Sequence, residues 1–442
     1  MKPVLFAIIL TLGLAPADAA DAGKPNILIV VADDLGWADV GYHGAAIPTP
    51  HIDKLCRAGV ELDRHYVAPM CTPTRAALLS GRYWSRFGVV SAQNELVLPF
   101  GTATLASALR ANGYDTFISG KWHLGSLKKW GPLQFGFRRS HGSLAGGVNP
   151  WNHLYKPGRY SVTWHRDDEL IKQKGHVTDL ITEETIRFIE QKRDGPFLAY
   201  VPFTAPHVPL DEPQSWLDRC KDVPEDRRQY AACVMHMDDS IGKFVAALER
   251  AGQRENTLIL FFSDNGGHLR ANPRSNYPRT VEKARIVGLN TPLRGKKGQV
   301  YEGGIRTPAF IHWPAKLKPR KVTAPLHVID WMPTLCKLTE TNPGTGLKWD
   351  GIDIWPILTG TTQKIPPRHL YTRGPRDTAA LIEDGWKLIR HGKGARSRYE
   401  LFHLAKDPNE TTNLADKKPE TLARLRQRLA AEAKLDNDAV AK

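Results

Sequence analysis

The run from Asn26 to Asp34 reads NILIVVADD, a stretch of apolar chain that stops on two carboxylates. It is short, rich in β-branched residues and apolar throughout rather than alternating, the pattern of a strand buried on both faces. Three more stretches repeat the design. YDTFIS (114–119) runs into Gly120, Lys121, Trp122 and His123, and FLAYVPF (197–203) runs into Thr204, Ala205, Pro206 and His207. LILFF (258–262) runs into Ser263, Asp264, Asn265, Gly266 and Gly267. Amphipathic helices separate these runs. Thr49 and Pro50 give an N-cap and a first-turn proline to a helix ended by Gly59, and Thr104 to Asn112 forms another before Gly113. The longest, from about Asp226 to Ala251, carries Tyr230, Val234, Met237, Ile241, Phe244 and Leu248 at three- and four-residue steps. Strands alternating with helices predict an α/β fold, a large mostly parallel (mixed) sheet sandwiched by helices. Ligands of such sheets bind beyond the carboxyl ends of the strands, where four strands here place reactive side chains.

A chain of 442 residues exceeds what one core comfortably serves, so a smaller second unit is expected. Residues 20–360 form the predicted catalytic domain. From 361 to 442 the texture changes to short strands (370–372, 379–383, 386–390, 399–403) and a final helix bearing Leu422, Leu425 and Leu429, a small C-terminal α+β subdomain with an antiparallel sheet. Residues 1–19 read as a signal peptide: Lys2, an apolar run from Val4 to Leu14, then Ala17, Asp18 and Ala19 in a small-x-small pattern. The predicted location is therefore periplasmic or secreted. No later segment is long and apolar enough for stable membrane insertion. The net charge of +15 is scattered, with no basic arm or stripe, and predicts no nucleic-acid partner. The five cysteines (Cys56, Cys71, Cys220, Cys233, Cys336) are an odd number, so in an oxidising compartment one is unpaired or chemically altered. Cys56 and Cys233 fall on apolar helix faces and suit buried thiols.

Asp33, Asp34, Asp264 and Asn265 make an oxygen-only ligand set from two distant strand ends. Such a set suits calcium or magnesium and matches zinc poorly. Taken separately, Asp33-Asp34 reads equally as a cap or solvated turn, and Asp264 to Gly267 as a turn. Cys71-Thr72-Pro73-Thr74-Arg75 opens a helix through Ala76 to Ser80, so Cys71 sits where free backbone N–H groups favour anions. By itself Cys71 reads as a reactive thiolate or as half of a disulfide.

Cys71-Thr72-Pro73-Thr74-Arg75, continuing to Leu79-Ser80-Gly81-Arg82, resembles the Cys-x-Pro-x-Arg signature of type I, formylglycine-dependent sulfatases of the alkaline phosphatase superfamily. Gly120 to Gly125 (GKWHLG), Asp264 to Gly267 (DNGG) and Pro292 to Lys297 (PLRGKK) leading to Glu302 to Arg306 (EGGIR) resemble the family's further motifs, in its order. The likeness is closest to arylsulfatase B, an N-acetylgalactosamine-4-sulfatase. The resemblance spans residue 24 to the C-terminus. It implies that Cys71 is converted to formylglycine by a formylglycine-generating or anaerobic sulfatase-maturing enzyme. It also implies one calcium ion (Ca2+, with Mg2+ as the alternative) held by Asp33, Asp34, Asp264, Asn265 and the modified Cys71. A formylglycine hydrate offers one hydroxyl to attack sulfur and a second to expel sulfate, which a serine cannot do. Arg75 would hold the formylglycine, Lys121 and Lys297 the sulfate, and His123 would help deprotonate the hydrate. His207 would protonate the leaving alcohol. Of the adjacent lysines, spacing from Arg294 and Glu302 favours Lys297 over Lys296.

The function so implied is hydrolysis of sulfate esters of a sulfated sugar, from a glycosaminoglycan or an algal or host polysaccharide. The competing readings are a phosphoester or phosphonate monoester hydrolase of the same superfamily and a non-catalytic glycan-binding homologue. His268 and Arg270, directly after the DNGG motif, are expected to touch the substrate. The stretch from Trp130 to Arg166 reads either as a sugar-binding wall using Trp151, His153, Trp164 and His165, or as a packed irregular loop.

Overall fold

The computed structural model describes residues 23–270, 286–344 and 347–440. The proposed signal peptide lies outside these residues. Strand Asn26–Ala32 is central. It runs parallel to Phe197–Pro202 on one side and to Thr257–Ser263 on the other. Beyond Phe197–Pro202 the sheet continues in parallel with Asp115–Lys121 and Arg139–Ser143. Antiparallel strands extend both flanks of this core: Ala309–His312 on one side, and Trp164–Arg166 with Glu169–Leu170 on the other. Ten strands result, including the short Val60–Leu62 and Arg320–Val322 at one edge.

The unbroken apolar character of the central strands has its cause in two cores. Ile27, Ile29 and Val31 pack with helices Cys71–Ser80, Leu105–Ala111 and Trp331–Leu338 on one face. Leu28, Val30 and Ala32 pack with Pro50–Ala58, Val177–Glu190 and Glu225–Arg250 on the other. Helix 105–111 opens with a capping box between Thr104 and Ser107. Thr49 departs from expectation: its hydroxyl accepts from Gly41 N–H (2.7 Å) and donates to Asp53 (2.9 Å), so it ties a neighbouring turn instead of capping its helix.

The C-terminal sheet is antiparallel in the order His369–Arg373, Ala379–Glu383, Trp386–His391, Arg398–His403. Both of its faces are covered. Tyr371, Ala379, Leu381, Leu388 and Leu401 join the first core together with Leu425 and Leu429 of helix Pro419–Ala433. Leu370, Ala380, Ile382, Ile389 and Phe402 form a third core with Tyr66, Val300 and Ile305. The sheet is thus welded to the segment around residue 300. No helix among the described residues is long and apolar enough to cross a membrane.

Candidate active site

Parallel register brings distant carboxylates level. Ala32 pairs with Ser263, so the next residues, Asp33 and Asp264, leave the sheet side by side. Asp264 N–H donates to Ala32 O and Asp33 N–H to Ala205 O, both at 2.9 Å. Asp34 then turns into the left-handed region (φ 68°), which a short polar side chain tolerates, and Asn265 Nδ2 donates to its Oδ1 at 2.7 Å. Asp33, Asp264 and Asn265 are fully buried.

Helix Cys71–Ser80 points its N-terminus at this group. Thr74 fastens the first turn, its hydroxyl accepting from Ala68 N–H (3.0 Å) and donating to Asp264 O (2.6 Å). Arg75 reaches Asp264 Oδ2 at 2.7 Å and Lys121 O at 2.6 Å. Lys121 donates to Asp33 Oδ2 at 2.5 Å and is wholly buried behind it. Lys297 lies 2.6 Å from Asp34 Oδ1, which separates it from Lys296, for which no such contact exists. The Cys71 thiol is buried, and Sγ lies 3.3 Å from His123 Nδ1. His123 itself has φ 56°, and its ring fits only because residue 146 is glycine: a Cβ there would come within 2.4 Å of the imidazole. His207 donates from Nδ1 to Val208 O, leaving Nε2 facing Asp34 Oδ2 at 3.7 Å.

Electrostatics follow from this crowding. Burial and the neighbouring Asp264 push the Asp33 carboxyl up to about 7. Asp34 goes the other way, because Lys297 and His207 outweigh its burial and hold it below the usual carboxylate range. Burial raises the Cys71 thiol against the pull of Lys121 and Lys297. It also depresses both His123, with Lys121 and Arg75 adding to the effect, and His207, with Lys297 adding.

Two buried oxygens, Asp33 Oδ1 and Asn265 Oδ1, have no hydrogen-bond partner. Orphaned acceptors are costly in a protein interior, and hard oxygen donors are what a calcium or magnesium ion takes. Asp33, Cys71 and Asp264 can bring one ligand atom each within 4.8 Å of one another, so the residues present fit a divalent cation. Three carboxylates already face three cations here, so that ion leaves the site net positive and receptive to an anion.

A pocket of about 110 Å³ opens onto the cluster, lined by Cys71, His123, His207 and Lys297 at its base. Its walls add Gln93 and Asn94, which the sequence does not single out, and Tyr155 and Lys156, which belong to the stretch 130–166; all four sit in irregular loops without a motif. His268 is exposed, and it is not among the residues lining this pocket. The side chain of Arg270 lies outside the described residues. Of the four residues named for a sugar wall in the stretch 130–166, none lines this pocket and three pack internally. His153 stacks on Trp164 (4.5 Å), and His165 bonds Gly142 O and Ser140 Oγ. His153, Trp164 and His165 are buried, and of the four candidates Trp151 alone is exposed.

The Lys297 segment is held from behind by the C-terminal sheet. Glu302 opens the turn of helix Glu302–Ile305; its N–H donates to Glu410 Oε2 at 2.7 Å. Lys387, from the C-terminal sheet, lies 2.9 Å from Glu302 Oε1 and 2.8 Å from Glu410 Oε1, and Tyr66 donates to Glu302 Oε2 at 3.0 Å. Lys387, Glu302 and Glu410 are all buried.

Comparison with known proteins now gives this arrangement its class. The Sulfatase family profile matches residues 25–341, and the profile "N-sulphoglucosamine sulphohydrolase, C-terminal" matches 296–435. The chain belongs to the sulfatase family and is a sulfuric ester hydrolase. Among its relatives, arylsulfatase J of Mus musculus is 30% identical over 94% of this chain and 76% of the relative. N-acetylgalactosamine-6-sulfatase of Rattus norvegicus is 30% identical over 92% and 84%. The crystal structure of Ps i-CgsB in complex with k-i-k-neocarrahexaose superposes with a TM-score of 0.83 at 29% identity, covering 94% of each chain.

Proposed function

We propose that this sulfatase removes sulfate from a sulfated carbohydrate, using a formylglycine made from Cys71 and a calcium ion bound by Asp33, Asp34, Asp264 and Asn265. The observation that carries the reading is the pair of orphaned buried oxygens, Asp33 Oδ1 and Asn265 Oδ1, beside Cys71 at a helix N-terminus. Relatives named for N-acetylgalactosamine sulfate and a structural neighbour holding a carrageenan-type oligosaccharide support a sugar substrate. A formylglycine hydrate supplies a nucleophilic hydroxyl and a second hydroxyl for expelling sulfate, and calcium supplies the charge that favours the ionised nucleophile.

The chain's own residues do the remaining work. Lys297, which lines the pocket, would offset charge on the transferring group, and Lys121, buried against Asp33 at 2.5 Å, would add its charge from the interior. Arg75 keeps Asp264 oriented and Cys71 at the helix start. His123, 3.3 Å from the position-71 side chain, is placed to take a proton from it. His207 exposes Nε2 to the pocket while Val208 O fixes its tautomer, the arrangement needed to donate a proton to the leaving oxygen. Burial and Lys297 bias this ring toward its neutral form; a sulfate anion set against Lys297 would oppose that bias and favour the imidazolium.

Residues 1–19 would direct export, after or during modification by a maturation enzyme. The test is a peptide mass across residue 71 from protein made in its own host, beside sulfate release from a panel of sulfated sugars. The expected peptide has lost sulfur and two hydrogens and gained an oxygen. An intact thiol in a preparation that turns over fully would overturn the mechanism. Turnover of phosphate esters alone would overturn the substrate class.

A further inference from the structure

Away from the strand ends, the described residues hold another set of metal-ligating side chains. His176 is the N-cap of helix Val177–Glu190 and Asp179 lies in its first turn, so a His-x-x-Asp spacing places both at one helix end. His236 comes from the packed helix Glu225–Arg250 and is fully buried. These three residues can each bring a ligand atom within 4.8 Å of the other two. Asp179 Oδ1 lies 3.0 Å from His236 Nε2. On the far side of that ring, His236 Nδ1 is 2.8 Å from Glu212 Oε2. His176 is 2% exposed, and its Nε2 has no hydrogen-bond partner; the nearest acid oxygen, Glu212 Oε1, is 3.6 Å away.

We propose that His176, Asp179 and His236 bind a zinc ion, with Glu212 orienting His236 from behind. Two imidazole nitrogens and a carboxylate are the donor set of zinc and a poor one for calcium or magnesium. A carboxylate on the second nitrogen of a ligating histidine is the usual support of such a site. Tetrahedral zinc with bonds near 2.0–2.1 Å spaces its ligand atoms roughly 3.3 Å apart; Asp179 Oδ1 and His236 Nε2 already stand 3.0 Å apart, and the contacts to His176, within 4.8 Å, would close onto the ion. Against its burial, Asp179 and Glu212 push His236 up to about 9, so an imidazolium balances one of the two carboxylates, and zinc would bind in place of its Nε2 proton and cancel both charges. The Asp179 side chain is 43% exposed while the histidine side chains are 1% exposed, which gives the ion a way in and leaves space for a water ligand. Ligation through Nε2 puts the proton of His176 on Nδ1 and releases its long 3.3 Å cap contact with Thr178 N–H.

The placement gives the ion a structural task. Glu212 belongs to the segment that follows His207, and its own N–H is held by Gln229 of the long helix at 3.0 Å. Zinc at this point ties both helices to the segment bearing His207.

The test is metal analysis of the whole purified protein, dialysed, given one equivalent of zinc chloride and desalted. Wild type and Asp264→Asn, which disables the strand-end cluster, are expected to retain one zinc per chain. His236→Gln and Asp179→Asn are expected to lose it, or to bind at least tenfold more weakly. Zinc should raise the melting temperature of the first pair only. If His236→Gln fails to fold, Asp179→Asn, altered at a part-exposed helix start, carries the comparison. Folded wild type that retains no zinc, or retention undiminished in Asp179→Asn, would overturn the site. Zinc lost only in Asp264→Asn would assign it to the strand ends and overturn it equally.

Discussion

Two groups of buried charge lie on either side of the Lys297 segment, and they are built to opposite rules. At the strand ends, Asp33, Asp34 and Asp264 face Arg75, Lys121 and Lys297, two oxygens stay unpaired, and a pocket opens beside them. Behind the segment, Glu302 and Glu410 converge on Lys387 and Tyr66 in the interior of the molecule. Both groups are costly to desolvate, and only mutual pairing makes either tolerable. The first is left incomplete on the side where a ligand arrives. The second also leaves one oxygen, Glu410 Oε1, without a hydrogen bond, but Lys387 stands 2.8 Å from it and the apolar contacts of Tyr66, Ile305, Ile382, Ile389 and Phe402 close over the group. Incompleteness next to a cavity, rather than burial of charge as such, separates a site from a strut.

Breaking the incomplete group should cost turnover far more than stability. Asp33→Asn or Asp264→Asn is expected to lower kcat/KM on a sulfated sugar by on the order of 10³-fold, because metal stabilisation of developing charge is worth several kcal/mol. Chelation should do the same, with calcium restoring activity. Melting of the metal-free variants should fall modestly: Asp264→Asn takes from buried Arg75 its 2.7 Å partner and Asp33→Asn takes from buried Lys121 its 2.5 Å partner, while relief of the Asp33–Asp264 repulsion offsets part of that loss. A large fall in melting temperature with turnover largely kept would place Asp33 or Asp264 among the struts.

His207→Ala sharpens the same side of the comparison. Loss of a general acid is expected to cost about 10²-fold or more in kcat. The loss should shrink on an aryl sulfate whose phenol leaves without help. Equal losses on sugar and aryl substrates would give His207 a binding role alone.

Much of the incomplete group is legible in the amino-acid sequence, for a physical reason. A parallel strand buried on both faces must be continuously apolar, so its end is marked by the first polar residues. Asn26–Ala32 and Asp33 are the plainest example. The long helix is equally plain, because one face of Glu225–Arg250 is buried along its length. The closed group is not legible. Glu302 meets Lys387 across 85 positions and Glu410 across 108, and neither partner lies in a motif. The same holds for His176 and His236, which look like unrelated single histidines. The loop 130–166 is ambiguous for a different reason: Trp and His serve a sugar wall and an internal stack equally well, and burial decides between them. His153, Trp164 and His165 are interior; Trp151 is not. The edge strands Val60–Leu62 and Arg320–Val322 are too short to carry a period.

Breaking the closed group should reverse the balance of effects. Lys387→Met leaves Glu410 without its cation and Glu302 with only the more distant Arg306 at 3.8 Å, and removing one partner of a buried ion pair costs about 3–5 kcal/mol. Denaturant melts should register that loss. Turnover should fall only a few-fold, because the Lys297 segment is loosened while every group around Cys71 remains. A loss of turnover as deep as that of Asp33→Asn, at unchanged stability, would move Lys387 to the catalytic side.

The subtlest distinction between the two groups is how they hold protons. One lysine cannot satisfy two buried carboxylates, so burial and the charge of Glu302 push Glu410 up to about 7 from an ordinary 4.5, with Lys387 only partly opposing. Between those values the folded chain holds a proton that the unfolded chain has lost, so stability falls as pH rises. The contribution is fully present below about pH 4.5, declines up to about pH 7 and is level above. Its full size is on the order of 1–3 kcal/mol. Glu410→Gln fixes the neutral form and should flatten this part of the curve, with its advantage over wild type growing toward neutral pH. Urea melts of both proteins from about pH 5 to about pH 8 measure the difference, and other titrating groups cancel in it. Parallel curves would mean that Glu410 stays ionised and that Lys387 balances both carboxylates, making the strut as fully paired in charge as it is in packing.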